Sequence, residues 1–344
     1  MKLILLNGVA VTVYVTFALA RNLPLGAFPT SWRPALLRWR RARRSKGTAS
    51  QPTAGAAPRK DPFTASLPPS DACFKAFPAL NGGATAASAG LTTRRRLEPE
   101  LVPLLFQGDG LQARFSRALA ERRAIDRKEF FESWECFEQI RGSMRCTAIE
   151  AGKATLLEAA AGHGLLGVLC AVFEWRRFAR VVITDRRRPA SFDQVLAAAV
   201  EVAPWVAERI TYVEAELGAG LMPAGGAVVC VHGCKSLTDV LIEVAMEASV
   251  ESIACMPCCY GHSAAAERAP SALRKHMGVA LAADVHRTYR LEGGGYDVNW
   301  RHIPSAITPM NRILTARRRQ AACQPCLDVL AVSGPAAADV CSSI

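Results

Sequence analysis

Three acidic residues stand at the ends of three successive predicted strands, and a small-residue turn separates the first strand from a helix. The run Leu156-Leu157-Glu158-Ala159-Ala160-Ala161-Gly162-His163-Gly164-Leu165-Leu166-Gly167 passes from apolar strand through this turn into a helix. Such a turn lets backbone approach a ligand closely and aims a helix N-terminus at it. Glu158 lies four residues before Gly162, at the strand end. Asp185 follows the next strand, about 20 residues beyond the glycines, placed to accept from both hydroxyls of a ribose. Glu216, after the third strand, offers an acid to an adenine amino group. Each acid alone reads equally well as a helix cap or a solvated loop residue. Three at one sheet edge are harder to dismiss, because open α/β sheets bind ligands at the carboxyl ends of their strands. With Ala160, Gly162, His163 and Gly164 of the turn, they form a candidate nucleoside site.

Gly162, Gly164 and Gly167 also satisfy GxGxxG, so a nicotinamide dinucleotide competes for the same turn. The acid four residues before Gly162 favours S-adenosyl-L-methionine, since dinucleotide folds run apolar into the first glycine. The expected chemistry is methyl transfer, which needs an aligned nucleophile, and a base only where the acceptor must lose a proton. An NAD-dependent oxidoreductase and a scaffold that binds the cofactor without turnover stay open as alternatives. Candidate catalytic residues at later strand ends are His232, Cys259 and Tyr260, and His232 is equally a candidate cofactor contact or a structural histidine. Cys258 and Cys259 read more readily as pocket wall than as nucleophiles. Cys255-x-x-Cys258 and Cys323-x-x-Cys326 have zinc-ligand spacing. Strand alternation turns Cys255 and Cys258 to opposite faces, so no metal is expected.

These residues need a sheet to bring them together. Apolar residues recur at helical spacing over Leu111–Ile125 and Asp126–Arg141, the second with Asp126 and Glu129 set as a capping box. Strands and helices then alternate: strand Ala154–Ala159, helix Leu165–Phe178, strand Arg180–Thr184, helix Ser191–Val200, strands Ile210–Val213 and Ala227–Val231, helix Leu237–Ala248, strand Ser252–Met256. Tyr296–Ile303 and Asn311–Ala316 suit an antiparallel pair at one edge. The expected fold is α/β and Rossmann-like, with about seven mostly parallel strands and an antiparallel last strand. The loop Ile303–Arg312 borders this pair, and Asn311 and Arg312 are candidate acceptor contacts. The catalytic domain spans 151–318, preceded by a helical lead-in (111–150) and a linker (61–110), and followed by a tail (319–344).

His232-Gly233-Cys234-Lys235-Ser236-Leu237-Thr238-Asp239 resembles the H-x-C-G-x-x-T-D segment of a class I methyltransferase family that includes a eukaryotic tRNA 2′-O-methyltransferase. Pro257-Cys258-Cys259-Tyr260-Gly261 resembles that family's P-C-C-(H/Y) segment. The resemblance covers about half the chain and implies S-adenosylmethionine as cofactor, with tRNA or rRNA as first-choice acceptor. Lys235 stands where the family has glycine, and Ala160 replaces the first glycine of the turn. The Cys/His zinc modules that precede the domain in the tRNA enzymes are not recognisable in residues 61–150.

The 344-residue chain has a formal charge of +12, but residues 1–60 hold 11 basic and no acidic residues. The remaining 31 basic residues nearly balance 30 acidic ones, so charge marks the leader and locates no basic face on the body. Apolar residues 3–20, then an Arg-, Ala- and Ser-rich stretch over 21–60, read as the bipartite leader of a plastid protein. A retained membrane anchor with a cytoplasmic catalytic domain and a mitochondrial presequence are the alternatives; the leader would meet a membrane or an import machinery. Several of the twelve cysteines sit inside apolar runs, a usage that suits a reducing compartment.

Overall fold

The structure, a computed structural model, describes residues 72–82, 89–144 and 154–319. The expected leader, the tail beyond Arg319 and the Cys323–Cys326 pair lie outside the described residues. Among the described residues no helix is long and apolar enough to cross a membrane.

Seven strands form one sheet: β1 (Ala154–Ala159), β2 (Phe178–Asp185), β3 (Ile210–Glu214), β4 (Ala227–Cys230), β5 (Ser252–Cys255), β6 (Tyr296–His302) and β7 (Arg312–Arg318). Their spatial order is β3-β2-β1-β4-β5-β7-β6. β1 to β5 run parallel, while β7 pairs antiparallel with both β5 and β6. This is the Rossmann-like architecture expected from the sequence, with the last strand inserted between the two before it. Alternation divides the strand residues between two apolar layers. Leu156, Val181, Ile183, Val229 and Ala254 face one core. Leu157, Ala159, Val228, Ile253 and Leu314 face the other. Both faces are buried, which is why these strands read as continuous apolar runs.

The helices over the first face are α2 (Leu111–Glu121), α3 (Arg127–Ile140), α4 (Leu165–Phe173) and α5 (Ala190–Val202), after a single turn α1 (Val102–Leu105). On the second face lie α6 (Leu237–Glu247) and α9 (Val279–Gly293), with short α7 (Ala264–Arg268) and α8 (Ser271–Met277) leading into α9. Two helix ends and one cap differ from expectation in informative ways. α2 stops at Glu121, because Arg123 takes a left-handed φ of 48° that a helix cannot continue through. α4 ends at Phe173 rather than Phe178; the wholly buried Phe178 instead opens β2, opposite Ala154. Asp126 does occupy the N-cap of α3 but makes no side-chain cap bond, so the expected capping box is not formed.

The described residues of the segment expected to be a linker contribute apolar anchors to the core. Phe74, Phe77, Leu80, Leu97, Leu101 and Phe106 are buried with α2 and α3. The Phe77 ring meets Phe106, Phe130, Phe131 and Trp134, with centroids 5.5 to 5.8 Å apart. Rings at these separations gain edge-to-face attraction beyond their buried area, and truncating one to alanine costs about 3–5 kcal/mol. The backbone is fixed as well: Lys75 and Ala76 donate their N–H groups to Glu135 of α3, at 2.9 and 3.0 Å. Burial pushes the Glu135 carboxyl up to about 7.

Candidate functional site

The turn after β1 is built by close approach. Gly164 has φ 69°, and a Cβ there would meet Ile183 and Phe192 at 3.0 and 3.1 Å. Gly162, at φ 52°, faces open space. Ala160 takes a left-handed φ of 51° and Lys235 one of 57°, each a glycine-like backbone held at a conformational cost of about 1 kcal/mol. The Tyr212 hydroxyl, from β3, donates to Gly162 O at 3.2 Å and reaches Arg187 O at 3.1 Å, which pins the turn from outside.

Asp185 ends β2 beside this turn. The Gly162 N–H donates to one carboxylate oxygen at 2.9 Å and the Arg186 N–H to the other at 2.7 Å. Each oxygen keeps a lone pair free for a ligand hydroxyl. A cleft of about 150 Å³ opens here, lined by Ala160, Thr184, Asp185, Arg186, Ala215, Leu217, His232 and Leu237. It lies at the carboxyl ends of β1 to β4, where the sequence reading places a nucleoside.

Of the eight predicted cofactor contacts only Ala160, Asp185 and His232 line the cleft; Gly162, His163 and Gly164 form the turn beside it, and Glu158 and Glu216 lie elsewhere. Glu158 is 3% exposed, beneath the turn, and accepts the Gly167 N–H at 2.7 Å. It holds the first turn of α4 instead of reaching a ligand amine, and burial pushes its carboxyl up to about 8. A Cβ on Gly167 would stand 2.7 Å from that carboxylate, so this glycine serves the packing. Glu216 is exposed, while its neighbours Ala215 and Leu217 line the cleft.

His163 and His232 meet edge to face, ring centroids 6.2 Å apart. His163 Nδ1 accepts the Leu165 N–H at 3.1 Å, which leaves Nε2 as the ring's donor. That atom lies 3.3 Å from Glu129 of α3, and the nearby imidazole holds the Glu129 carboxyl down to about 2. His232 Nε2 is enclosed and has no partner, and burial lowers this imidazole to about 4. Glu132, one turn along α3, pairs with Lys128 through one oxygen, and its other oxygen is buried without a partner. The sequence offered no sign that Glu129 and Glu132 belong here, because the α3 spacing reads as an amphipathic helix with a cap.

The motif segments divide between site and scaffold. Cys234, Cys258 and Cys259 come together at the ends of β4 and β5, with Cys234 Sγ 3.0 Å from Cys258 Sγ and 3.6 Å from Cys259 Sγ. Tyr260 does not join them. It is 2% exposed, and its hydroxyl donates to Asp284 of α9 at 2.7 Å. Arg312 donates to the same carboxylate oxygen at 2.8 Å, while Arg287 joins Asp284 (3.1 Å) to Asp239 (2.8 Å). Thr238 donates to Gly233 O at 2.7 Å, and Asp239 also accepts the Ala265 N–H at 3.0 Å. The Thr-Asp pair and Tyr260 thus lock the loops after β4 and β5 onto α9. Asn311 donates to Ile303 O at 2.7 Å, so neither Asn311 nor Arg312 is an exposed acceptor contact.

Residues 132–265 match the family model of a methyltransferase domain, a span that runs from α3 to α7 and contains the cleft. No curated protein sequence matches the chain. Solved structures similar in part include a precorrin-6y methyltransferase of Geobacter metallireducens, 15% identical, covering 48% of this chain and 81% of its own, with a TM-score of 0.31. Another is the magnesium protoporphyrin IX methyltransferase of Synechocystis with bound SAH: 13% identity, 62% of this chain, 89% of its own and TM-score 0.33. The fibrillarin pre-rRNA processing protein of Methanococcus jannaschii is 12% identical over 49% of this chain and 68% of its own, at TM-score 0.30.

Proposed function

We propose that this chain transfers a methyl group from S-adenosylmethionine to RNA. The observation that carries the cofactor is the cleft at the β1–β4 edge, where Asp185 offers two anchored oxygens and His232 presents an enclosed, unpartnered Nε2. A buried polar atom without a partner is rare unless a ligand or water completes it, so the residues fit a polar nucleoside. Asp185 accepts from the ribose hydroxyls, and the Ala160–Gly162 backbone lies against the ligand. When bound, the sulfonium supplies the methyl group. His232 lines the cleft, and burial holds its imidazole neutral at physiological pH.

RNA as acceptor is supported by the resemblance of the His232–Asp239 and Pro257–Gly261 segments to the tRNA methyltransferase family. Exposed Arg186 and Arg187 at the cleft mouth also offer charge to a phosphate backbone. The test is calorimetric titration of the full chain with S-adenosylmethionine, its demethylated product and NAD, then methyl-label transfer to total RNA. Asp185→Ala should weaken binding of the first two roughly 10- to 100-fold, the worth of charge-assisted hydrogen bonds. Binding of NAD alone would overturn the reading, and binding without transfer to RNA would overturn the acceptor.

A further inference from the structure

Four cysteines of the domain behave as small apolar residues. Cys230 and Cys255 pair across β4 and β5, and Cys136 and Cys170 lie in the helix layer, all fully buried. Cys234, Cys258 and Cys259 differ. Cys259 is exposed, the other two are partly exposed, and they occupy loops rather than strands. Among the described residues they are the one group of three or more Cys, His, Asp or Glu whose ligand atoms all lie within 4.8 Å of one another. The three sulfur separations are 3.0, 3.6 and 3.7 Å.

The grouping is held by backbone rather than by the thiols themselves. Lys235, in its left-handed turn, donates its N–H to Cys259 O at 3.1 Å, and Cys234 N–H donates to His232 O at 2.8 Å. Ser236 Oγ reaches His262 O at 3.3 Å, and the Asp239–Ala265 bond closes the same two loops one layer deeper. Three polarisable donors are therefore fixed on one spot before any ligand arrives, the arrangement a thiophilic cation requires. Zinc–sulfur bonds of about 2.3 Å give a tetrahedral sulfur–sulfur edge of about 3.8 Å. Two of the three edges stand near that value, and the third widens by rotation of one thiol.

We propose that Cys234, Cys258 and Cys259 bind one Zn²⁺ ion through three thiolate sulfurs, with water in the fourth position on the side where Cys259 is exposed. The site is separate from the Asp185 contacts, so it stands or falls independently of the nucleoside reading. It departs from the expectation of no metal drawn from the Cys255–Cys258 spacing alone. The spacing Cys255-x-x-Cys258 misleads because Cys255 points into the core, whereas Cys234, 24 residues before Cys258, supplies the missing sulfur.

The experiment is elemental analysis of the full-length reduced protein after zinc loading and removal of weakly held ion, with cobalt substitution and X-ray absorption on the same samples. The expected result is one ion per chain, tetrahedral cobalt d–d bands with sulfur charge transfer, and three sulfur scatterers. The ion should be lost in Cys234→Ser and Cys259→Ser and kept in Cys73→Ser and in the double variant Cys323→Ser, Cys326→Ser. Because Cys259 is exposed, its variant retains the fold, which circular dichroism checks. Zinc retained when all three serines are present, fewer than three sulfur scatterers, or a Cys234–Cys258 disulfide in protein that takes up no zinc after reduction would overturn the proposal.

Discussion

Glu158→Gln should remove a pH dependence that the buried carboxyl imposes on folding. Its folded value is about 8 against an ordinary 4.5, because desolvation outweighs the Gly167 and Leu166 amides that favour the charged form, and Asp185 adds repulsion. Between those values the folded chain holds a proton that the unfolded chain has released. Stability from this group is therefore complete below pH 4.5 and is lost as pH rises toward 8. Each pH unit in that window corresponds to about 1.4 kcal/mol, so from pH 5 to 8 wild type loses about 3–4 kcal/mol through Glu158. Glutamine keeps an oxygen for the Gly167 N–H and cannot ionise, and Glu135 is common to both proteins, so the difference isolates one group. Urea unfolding at pH 5, 6.5 and 8, followed through tryptophan fluorescence and far-UV circular dichroism, measures it. The variant should gain on wild type by roughly that amount across the series. A difference that stays flat with pH would refute the reasoning: Glu158 would then be charged in the folded state, stabilised by the α4 N-terminus more than burial opposes it.

Ala160→Gly should stabilise the protein by about 0.5–1 kcal/mol, since glycine adopts the φ of 51° without steric cost but loses more entropy on folding; the urea midpoint reads this. Tyr260→Phe should cost about 1.5–3 kcal/mol through the lost bond to Asp284 while leaving the methyl-transfer rate unchanged. A large fall in rate with stability intact would return Tyr260 to the acceptor site. Arg287→Met should cost about 3–5 kcal/mol, because it leaves the buried Asp239 carboxylate with the Ala265 N–H but no cation and takes one of two cations from Asp284; thermal unfolding with ligand absent is the measurement.

The sheet was legible because its strands are short apolar runs bounded by turn residues, and β1 through β5 follow one another with regular spacing. α9 was not, and the reason is chemical: its buried face carries Asp284 and Arg287 among alanines, so polarity argues for solvent where the fold has a salt-bridged interior. Residues 72–110 hid for the opposite reason. Phe74, Phe77, Leu97 and Phe106 are anchored one at a time between prolines and glycines, with no helical or strand period to announce them. In the site, Asp185 and His232 followed from their places at strand ends. Glu158 and Tyr260 shared that position but are turned inward, and nothing in spacing alone distinguishes a carboxyl that faces a ligand from one that faces a helix terminus. The thiol trio needed the adjacency of β4 and β5, a tertiary fact.

The aromatic layer formed by Phe77, Phe106, Phe130 and Trp134 has a consequence for how the chain is made. All four rings precede β1 in the chain, and Trp134 packs against Phe173 at the end of α4, ring centroids 5.3 Å apart. At translation rates of about 5–20 residues per second, Trp134 waits roughly 2–8 s for that partner. Through that interval the ribosome displays a band of uncovered rings in front of a sheet not yet synthesised. Holding chaperones should engage the nascent chain there, and codon changes that slow elongation between α3 and α4 should lower soluble yield while leaving the mature protein's stability untouched.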